Sequence, residues 1–390
     1  MFVGGARTPV GSFLGGLSSV TPKALGVAAA AAALERSGVE PGDVDAVFVG
    51  NVIQSAKNTV YLARHVALGV GVPVEAPALT VNRLCGSGLE AVVQGAKALA
   101  LGEATVVLAG GAENMSMTPH ALRGARRGLK LGGDEVDDVL WSALTDEVAG
   151  CQIGQTVEHI AAKEGVTREA ADAAALRSHL RAAAAQARGR LDEEIVPVEV
   201  TDARGRTKVV SCDECVRSET SAEALAALRP MYGREGVNTP GNASGLNDAA
   251  AMVVMTTFGE ATSRGLDVLG RVVSQACVGV PPLEMAMGPV PAIRLALERA
   301  GLELEEVGRF EINDSFAAQC VAVERALGLD PEKVNVNGGG LALGHPMGAT
   351  GTRLVHSLLL ELRSSGERYG VASLCIGGGQ GMAIVLERSA

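Results

Sequence analysis

The stretch Thr80-Val81-Asn82-Arg83-Leu84-Cys85-Gly86-Ser87-Gly88-Leu89-Glu90 sets a cysteine after an extended apolar segment and before a helical pattern over residues 89–101. The open N–H groups of a helix's first turn and the positive end of its dipole favour negative charge. A cysteine so placed can have its pKa lowered from about 8.5 into roughly 3.5–7.5, which would make it a thiolate nucleophile. Taken alone, the stretch fits equally an inert cysteine packed beneath a helix, because free cysteine is among the most buried residue types. Near the C-terminus, Asn335-Val336-Asn337-Gly338-Gly339-Gly340-Leu341-Ala342-Leu343-Gly344-His345-Pro346-Met347-Gly348-Ala349-Thr350-Gly351 places His345 in a glycine-walled loop ahead of a helix. Ser373-Leu374-Cys375-Ile376-Gly377-Gly378-Gly379-Gln380-Gly381 places a second cysteine at a strand end followed by glycines, and Glu311-Ile312-Asn313-Asp314-Ser315-Phe316 ends another strand at Asn313. A lone histidine is more often structural, and a glycine-rich loop also suggests nucleotide binding. The chain, however, lacks the lysine of a G-x-x-x-x-G-K-[ST] loop and opens no helix with G-x-G-x-x-G, so nucleotide hydrolysis and nicotinamide binding are set aside.

The elements that must position these residues alternate between strand and helix signals, the pattern of parallel sheets covered by helices. The spacing predicts helices over 24–37, 60–68 and 89–101 and strands over 46–50, 78–81 and 105–109. The second half repeats the first. Ala33-Leu34-Glu35-Arg36-Ser37-Gly38-Val39-Glu40 reads against Ala296-Leu297-Glu298-Arg299-Ala300-Gly301-Leu302-Glu303, and the same offset sets strand residues 47–49 on 310–312 and Gly88 on Gly351. The strand at 106–111 corresponds to 372–378 after a small insertion. By itself the repeat fits either two similarly folded halves or mere α/β monotony. In a repeated fold, equivalent strand ends converge on one crevice, which would bring Cys85, His345, Cys375 and Asn313 to the junction of the halves.

Between the halves lies a different region, over about 118–246. It holds a basic segment (Arg123, Arg126, Arg127, Lys130), an acidic one (Asp134, Glu135, Asp137, Asp138), a strongly helical stretch at 167–190 and a β-like segment at 194–200. We read it as an inserted domain, with a first half of 1–117 plus 247–267 and a second half of 268–390. The basic segment is either a solvated face or an anion-binding or subunit-contact surface.

Composition narrows the partners. The 390 residues are 47% apolar and 20% charged, below the usual charged share of about 25%, so the solvated surface is modest and oligomer formation is expected. Glycine, 50 residues without a three-residue period, points to tight turns and close backbone packing. Aromatics at 3% leave the core to Ala, Val, Leu and Ile. A formal charge of −10 disfavours nucleic acid and anionic membranes. The longest alanine-rich run, 24–34, is shorter than the roughly 20 residues of a bilayer span. Seven scattered cysteines (85, 151, 212, 215, 277, 320, 375) and an opening without the pattern of an export signal lead to the expectation of a reducing cytosol. Cys212-Asp213-Glu214-Cys215 has the spacing of half a zinc site or a redox pair, but no second pair follows, so no metal is expected.

With these residues in view, the chain resembles the thiolases, acetyl-CoA acetyltransferases and 3-ketoacyl-CoA thiolases, over essentially its whole length. The resemblance rests on Ala6-Arg7-Thr8-Pro9-Val10-Gly11, Asn82-Arg83-Leu84-Cys85-Gly86-Ser87-Gly88, Gly110-Gly111-Ala112-Glu113-Asn114-Met115-Ser116, Gly241-Asn242-Ala243-Ser244-Gly245-Leu246-Asn247-Asp248, Asn313, Gly344-His345-Pro346 and Cys375-Ile376-Gly377-Gly378-Gly379, in order and spacing. It implies a duplicated α/β/α fold: two similar mixed five-stranded sheets sandwiched by helices in layers, with a long loop-domain insertion. It further implies acyl transfer by ping-pong kinetics between acetyl-CoA and other acyl-CoA thioesters, with no permanently bound cofactor and a homodimer or homotetramer as the working form.

The resemblance assigns roles as well. Cys85 would carry the acyl group as a thioester, His345 would accept its proton, and Cys375 would move the α-carbon proton of the second thioester. One oxyanion would be held by His345 with a water on Asn313, the other by the backbone N–H groups of Cys85 and Gly377. Ser244 matches a position that meets the pantetheine and Arg217 one near the nucleotide end, with a surface salt bridge as the other reading of Arg217. Tyr232, Met285, Ser315 and Phe316 match positions that line the tunnel. The chain departs from the family pattern at Gln152, where many acetoacetyl-CoA-specific members have histidine, at His159, where asparagine is frequent, and at Asp314, where glutamate is frequent. These departures leave substrate preference open. A condensing enzyme of the 3-ketoacyl synthase type is the nearest rival; its third catalytic group resembles a His or Asn, whereas here it is Cys375. A non-catalytic acyl-CoA-binding protein of the same fold is disfavoured by competent residues at all four catalytic positions.

Overall fold

The computed structural model describes residues 1–129, 131–132, 135–201 and 204–389; Lys130 of the basic segment and Asp134 of the acidic one lie outside the described residues. The first half contains β1 (Phe2–Arg7), α1 (Pro22–Ser37), β2 (Ala46–Gly50), α2 (Leu62–Gly69), β3 (Ala78–Val81), α3 (Ser87–Ala100) and β4 (Val106–Asn114). The intervening region holds α4 (Ile153–Lys163) and α5 (Arg168–Ala187), after which β5 (Asn247–Thr256) returns to the sheet. The second half follows with β6 (Gly270–Gly279), α6 (Pro289–Ala300), β7 (Val307–Ile312), α7 (Ala317–Leu327), α8 (Met347–Ser365), β8 (Tyr369–Ile376) and β9 (Gln380–Arg388).

The strands lie in the order β7-β8-β9-β6-β1-β5-β4-β2-β3. Counted outward from the centre, β1-β5-β4-β2-β3 and β6-β9-β8-β7 are the same sequence of positions, with antiparallel inner pairs and a parallel outer pair in each half. The fifth position of the second half is reduced to one parallel bridge, Phe310 with Val334. The two similar strand sets touch at one residue pair, Phe2 with Gly270, which joins them edge to edge. In the second half β8 reaches β9 through residues 377–379, whereas in the first the equivalent β4 and β5 are separated by the whole region 115–246.

Strand periodicity decides the layers. Side chains on a strand point alternately to opposite faces. In β4, Val106 and Leu108 join the core with α1 and α2, while Val107 and Ala109 join the core with α3 and α8. In β9, Met382, Ile384 and Leu386 face α3 and α8, while Ala383 and Val385 face α6. Both strand sets are therefore covered on two faces, which is why their sequences run nearly continuously apolar.

Helices α3 and α8 form the shared middle layer, and every residue of α8 from Met347 to Leu362 is buried. Their axes come close because the repeat places glycine on both. A Cβ at Gly351 would lie 2.3 Å from the Leu89 backbone nitrogen, and one at Gly88 2.7 Å from the Gly348 carbonyl oxygen. The repeat also shows at helix ends: α1 stops at Gly38, φ 69°, and α6 at Gly301, φ 66°, a left-handed cap that glycine adopts without steric cost. The intervening region is tied to β1 by Arg7, whose guanidinium meets Glu194 at 2.8 Å and Asp213 at 2.7 and 2.9 Å in a fully buried cluster. Its helices α4 and α5 pack on α7 in a core that includes Met285, Phe316 and Cys375.

Candidate active site

Cys85 stands two residues ahead of α3 in a turn made by its own side chains. Leu84 has φ 48°, a left-handed conformation that costs a non-glycine residue on the order of 1–3 kcal/mol. Asn82 Oδ1 accepts the Leu84 N–H at 2.9 Å, and the Ser87 hydroxyl accepts the Arg83 N–H at 2.9 Å and donates to the Leu84 carbonyl at 2.6 Å. The backbone N–H groups of Gly377 and of Cys85 itself both reach the Cys85 sulfur.

The expected low pKa is overturned. Burial pushes the Cys85 thiol up to about 11; the two N–H groups pull it down by less, and the Glu113 carboxylate adds to the rise. The helix-terminus argument was local, and the desolvation it left out comes from the second half folding over the turn. At rest Cys85 is a protonated thiol. Cys375, at the end of β8, is likewise pushed up to about 12, first by burial and then by Cys85, with a hydrogen bond from Ser315 acting the other way.

His345 is held as a neutral imidazole. Burial, with Arg353 second, lowers its pKa to about 3. Its backbone N–H donates to Asn247 Oδ1 at 2.8 Å, and its Nδ1 lies 2.8 Å from Thr350 Oγ1. Thr350 spends its one proton on the Pro346 carbonyl at 2.9 Å, so it accepts from His345 and Nδ1 carries the imidazole proton. The Asn313 Nδ2, 3.4 Å from Nδ1, is then a second donor in contact and not a partner. Nε2 keeps its lone pair, is buried, and has no partner among the described residues.

Cys85, His345, Cys375, Gly377, Ser244, Arg217, Tyr232, Met285, Ser315 and Phe316 all line one cleft of ≈ 450 Å³. Asn313 does not line it. It reaches the cleft through Ser315, whose Oγ accepts from Asn313 Nδ2 at 2.6 Å, while Asn313 Oδ1 is buried without a partner among the described residues. Arg217 makes no ion pair among the described residues; its backbone N–H donates to His179 Nδ1 at 3.3 Å. Gln152 lines the cleft and caps α4 together with Gln155, whereas His159 is exposed on α4 and Asp314 is buried, accepting from Ser178 and the Leu341 N–H. Burial raises the Asp314 carboxyl to about 6.

Three positioning groups were not assigned roles from sequence. Glu113 accepts the N–H groups of Val52, Ile53 and Gly348 and the Asn51 amide, joining the end of β4 to the first turn of α8. Asn247 holds the His345 backbone, and Thr350 fixes its tautomer. Glu113 and Asn247 sit inside motifs that carry the family resemblance; Thr350 gave no signal beyond its place after His345.

A model of the thiolase N-terminal domain matches residues 1–258, and one of the thiolase C-terminal domain matches residues 266–388. The human mitochondrial 3-ketoacyl-CoA thiolase is 44% identical over 389 residues, with 100% of this chain and 98% of that protein covered. The beta-ketothiolase BktB of Cupriavidus necator is 46% identical over 387 residues, covering 99% and 98%. The acetyl-CoA acetyltransferase of Pseudomonas aeruginosa is 44% identical over 395 aligned positions, covering 100% and 99%. The crystal structure of the human mitochondrial 3-ketoacyl-CoA thiolase superposes with a TM-score of 0.97 at 43% identity, covering 100% of this chain and 98% of that one, and its complex with CoA with 0.96 at 42% over the same shares. The chain belongs to the thiolase family. It is an acyltransferase of CoA-dependent thiolase chemistry, with CoA thioesters as substrates and no permanently bound cofactor. No helix among the described residues is long and apolar enough to cross a membrane.

Proposed function

We propose that the chain is an acyl-CoA C-acetyltransferase in which Cys85, His345, Cys375, Asn313 and Gly377 carry the chemistry of reversible condensation and thiolysis. The observation that supports this most is the convergence on one cleft of two protonated thiols and an imidazole whose Nε2 is free. As the Cys85 sulfur attacks an acyl-CoA carbonyl, its proton passes to His345 Nε2, and the oxyanion lies against the N–H groups of Cys85 and Gly377. CoA leaves as a thiolate and takes the proton of Cys375, which becomes the thiolate. The Cys375 thiolate then removes an α-proton from acetyl-CoA, and the enolate oxygen is held by the His345 imidazolium and a water on Asn313. The α-carbon attacks the acyl-Cys85 carbonyl, and the departing Cys85 sulfur recovers its proton from His345. Thiolysis runs the same steps backward.

The raised thiol pKa values and the lowered imidazole value oppose one another only in the resting state. Once CoA has left, a Cys375 thiolate beside a His345 imidazolium relieves both. Ser244, Arg217, Tyr232, Met285, Ser315 and Phe316 are the proposed CoA contacts, with the intervening region 118–246 as the CoA-binding and subunit-contact domain. A homodimer or homotetramer is proposed from the open edge of β3, where Leu79 is exposed along with Val60, Tyr61, Leu68 and Val74 nearby in sequence. A cytosolic location is proposed on the seven cysteines, all of them free.

The reading is tested by incubating the protein with radiolabelled acetyl-CoA and mapping the label. Label on Cys85 is expected, and Cys375→Ser should still acquire it while condensing poorly; binding of CoA without label on Cys85 contradicts the nucleophile. Faster turnover with acyl carrier protein donors than with CoA thioesters would favour the 3-ketoacyl synthase reading instead.

A further inference from the structure

Arg83 lies two residues ahead of Cys85 in the turn that opens α3. Asn82 and Ser87 close that turn on itself, whereas the Arg83 side chain leaves it in two directions. Its Nε donates to Glu90 Oε2 at 3.0 Å, in the first turn of α3, and its Nη1 donates to Gln380 Oε1 and to Cys277 Sγ, each at 3.2 Å. Both ends of this bridge are anchored. The Glu90 side chain is only 9% exposed, and Gln94 donates to its other oxygen. Gln380 opens β9 directly after Gly377-Gly378-Gly379, paired with Ile376 on β8 and with Gly279 on β6, and Cys277 lies diagonally from it on β6. A guanidinium presents its donors in a rigid planar fork, so one side chain can set the spacing between two such anchors.

That spacing bears on the reaction because the two backbone N–H groups proposed for an oxyanion come from different halves, Cys85 from the turn and Gly377 from the loop ahead of Gln380. The two segments are in contact. A Cβ on Gly86 would fall 2.6 Å from Ile376 Cδ1, and one on Gly377 would fall 3.4 Å from Leu84 Cδ1. Apolar contact is non-directional and leaves the segments free to slide, whereas the hydrogen bonds of Arg83 fix their register. Leu84, between Arg83 and Cys85, has φ 48°, a conformation that persists only where the surroundings over-determine it.

We propose that Arg83 is a positioning residue for acyl transfer, its guanidinium bridging Glu90 and Gln380 so that the backbone N–H of Cys85 and that of Gly377 are held at the separation an oxyanion requires. This rests on the oxyanion role given to those two groups above. In the step concerned, the Cys85 sulfur forms a bond to the acyl carbonyl carbon, the carbonyl π pair moves onto oxygen, and both N–H groups meet that oxygen; Arg83 exchanges no proton and touches no reacting atom.

The test compares two reactions of Cys85, one that makes an oxyanion and one that does not. Single-turnover acylation by labelled acetyl-CoA passes through a tetrahedral oxyanion, whereas alkylation by iodoacetamide displaces iodide at a saturated carbon. Arg83→Met, which keeps an apolar stem, should slow acylation at saturating acetyl-CoA by about 10- to 100-fold, because misplacement on the order of 1 Å costs up to about 10² in rate, while alkylation of the Cys85 peptide stays within about twofold of the parent. Gln380→Leu, which cuts the same bridge from its other end, should show the same selective loss, and the double variant should be no slower than Arg83→Met alone. Acylation unchanged in either variant, alkylation altered as much as acylation, or losses that multiply in the double variant overturn the proposal. Failure of Cys85 to take the label in the parent protein would instead count against the catalytic reading on which it rests.

Discussion

Replacing His345 with alanine isolates the requirement for a base at Cys85. With its pKa at about 11, Cys85 is thiolate to only about one part in 10⁴ at pH 7. His345, lowered to about 3, is neutral at every pH above that, so the intact protein has its base ready throughout the working range. General-base help is typically worth about 10²–10⁴ in rate, and the variant must fall back on thiolate formed by hydroxide. Its rate of Cys85 acylation should therefore drop by about 10²–10⁴ at pH 7. It should then climb about tenfold per pH unit toward 11, because each unit multiplies the thiolate fraction by ten. The assay is single-turnover acylation by labelled acetyl-CoA, quenched in acid and read on the Cys85 peptide, with the intact protein giving a shallow profile over the same range. A variant rate that is flat between about pH 7 and 9, or close to that of the parent, would refute the assignment of His345 as the base.

Two further outcomes probe the frame that holds the site. Glu311 is fully buried 3.4 Å from Arg353, and burial raises its carboxyl to about 8 despite that arginine, so between its ordinary value of 4.5 and 8 the folded state binds the extra proton and stability falls as pH rises. Glu311→Gln removes this one group's share of the pH dependence, so the difference in unfolding temperature between the two proteins should change across that window, while Glu113 raised to about 7, Asp314 raised to about 6 and His345 lowered to about 3 act alike in both; parallel curves for the two proteins would contradict this. Gly351→Ala drives a Cβ to within 2.3 Å of the Leu89 backbone and should cost about 1–3 kcal/mol in denaturant unfolding, whereas Gly259→Ala, in the exposed helix Phe258–Arg264 with open space around it, should stabilise by about 0.5–1 kcal/mol. Equal effects at the two glycines would show that helix contact does not set the spacing of α3 and α8.

Much of the frame is legible in the residues because its determinants are local or periodic. The strands at Ala46–Gly50 and Ala78–Val81 have the bounds that the apolar runs predict, and the helix predicted over 89–101 forms as Ser87–Ala100. The repeated Ser37-Gly38 and Ala300-Gly301 become two left-handed helix caps. The offset that pairs Gly88 with Gly351 turns out to pair two surfaces in contact, α3 against α8. Less regular segments were harder to read: the β-like pattern at 194–200 forms a strand only from Val198 to Thr201, because Arg7 and its carboxylates hold the preceding residues.

The sequence by itself determined the alternation of strands and helices, the duplication, and which cysteines, histidine and asparagine are proposed to carry the family chemistry, since each depends on residue type and spacing along the chain. Only the tertiary structure decided the electrostatics. A helix terminus favours a thiolate at Cys85, but the second half buries that sulfur and sends its pKa the other way. Thr350 fixes which imidazole nitrogen is free, and Asn313 reaches the cleft only through Ser315. Proton positions and desolvation depend on what lies within a few ångströms in space, and around this cleft those neighbours come from both halves and from the region between them.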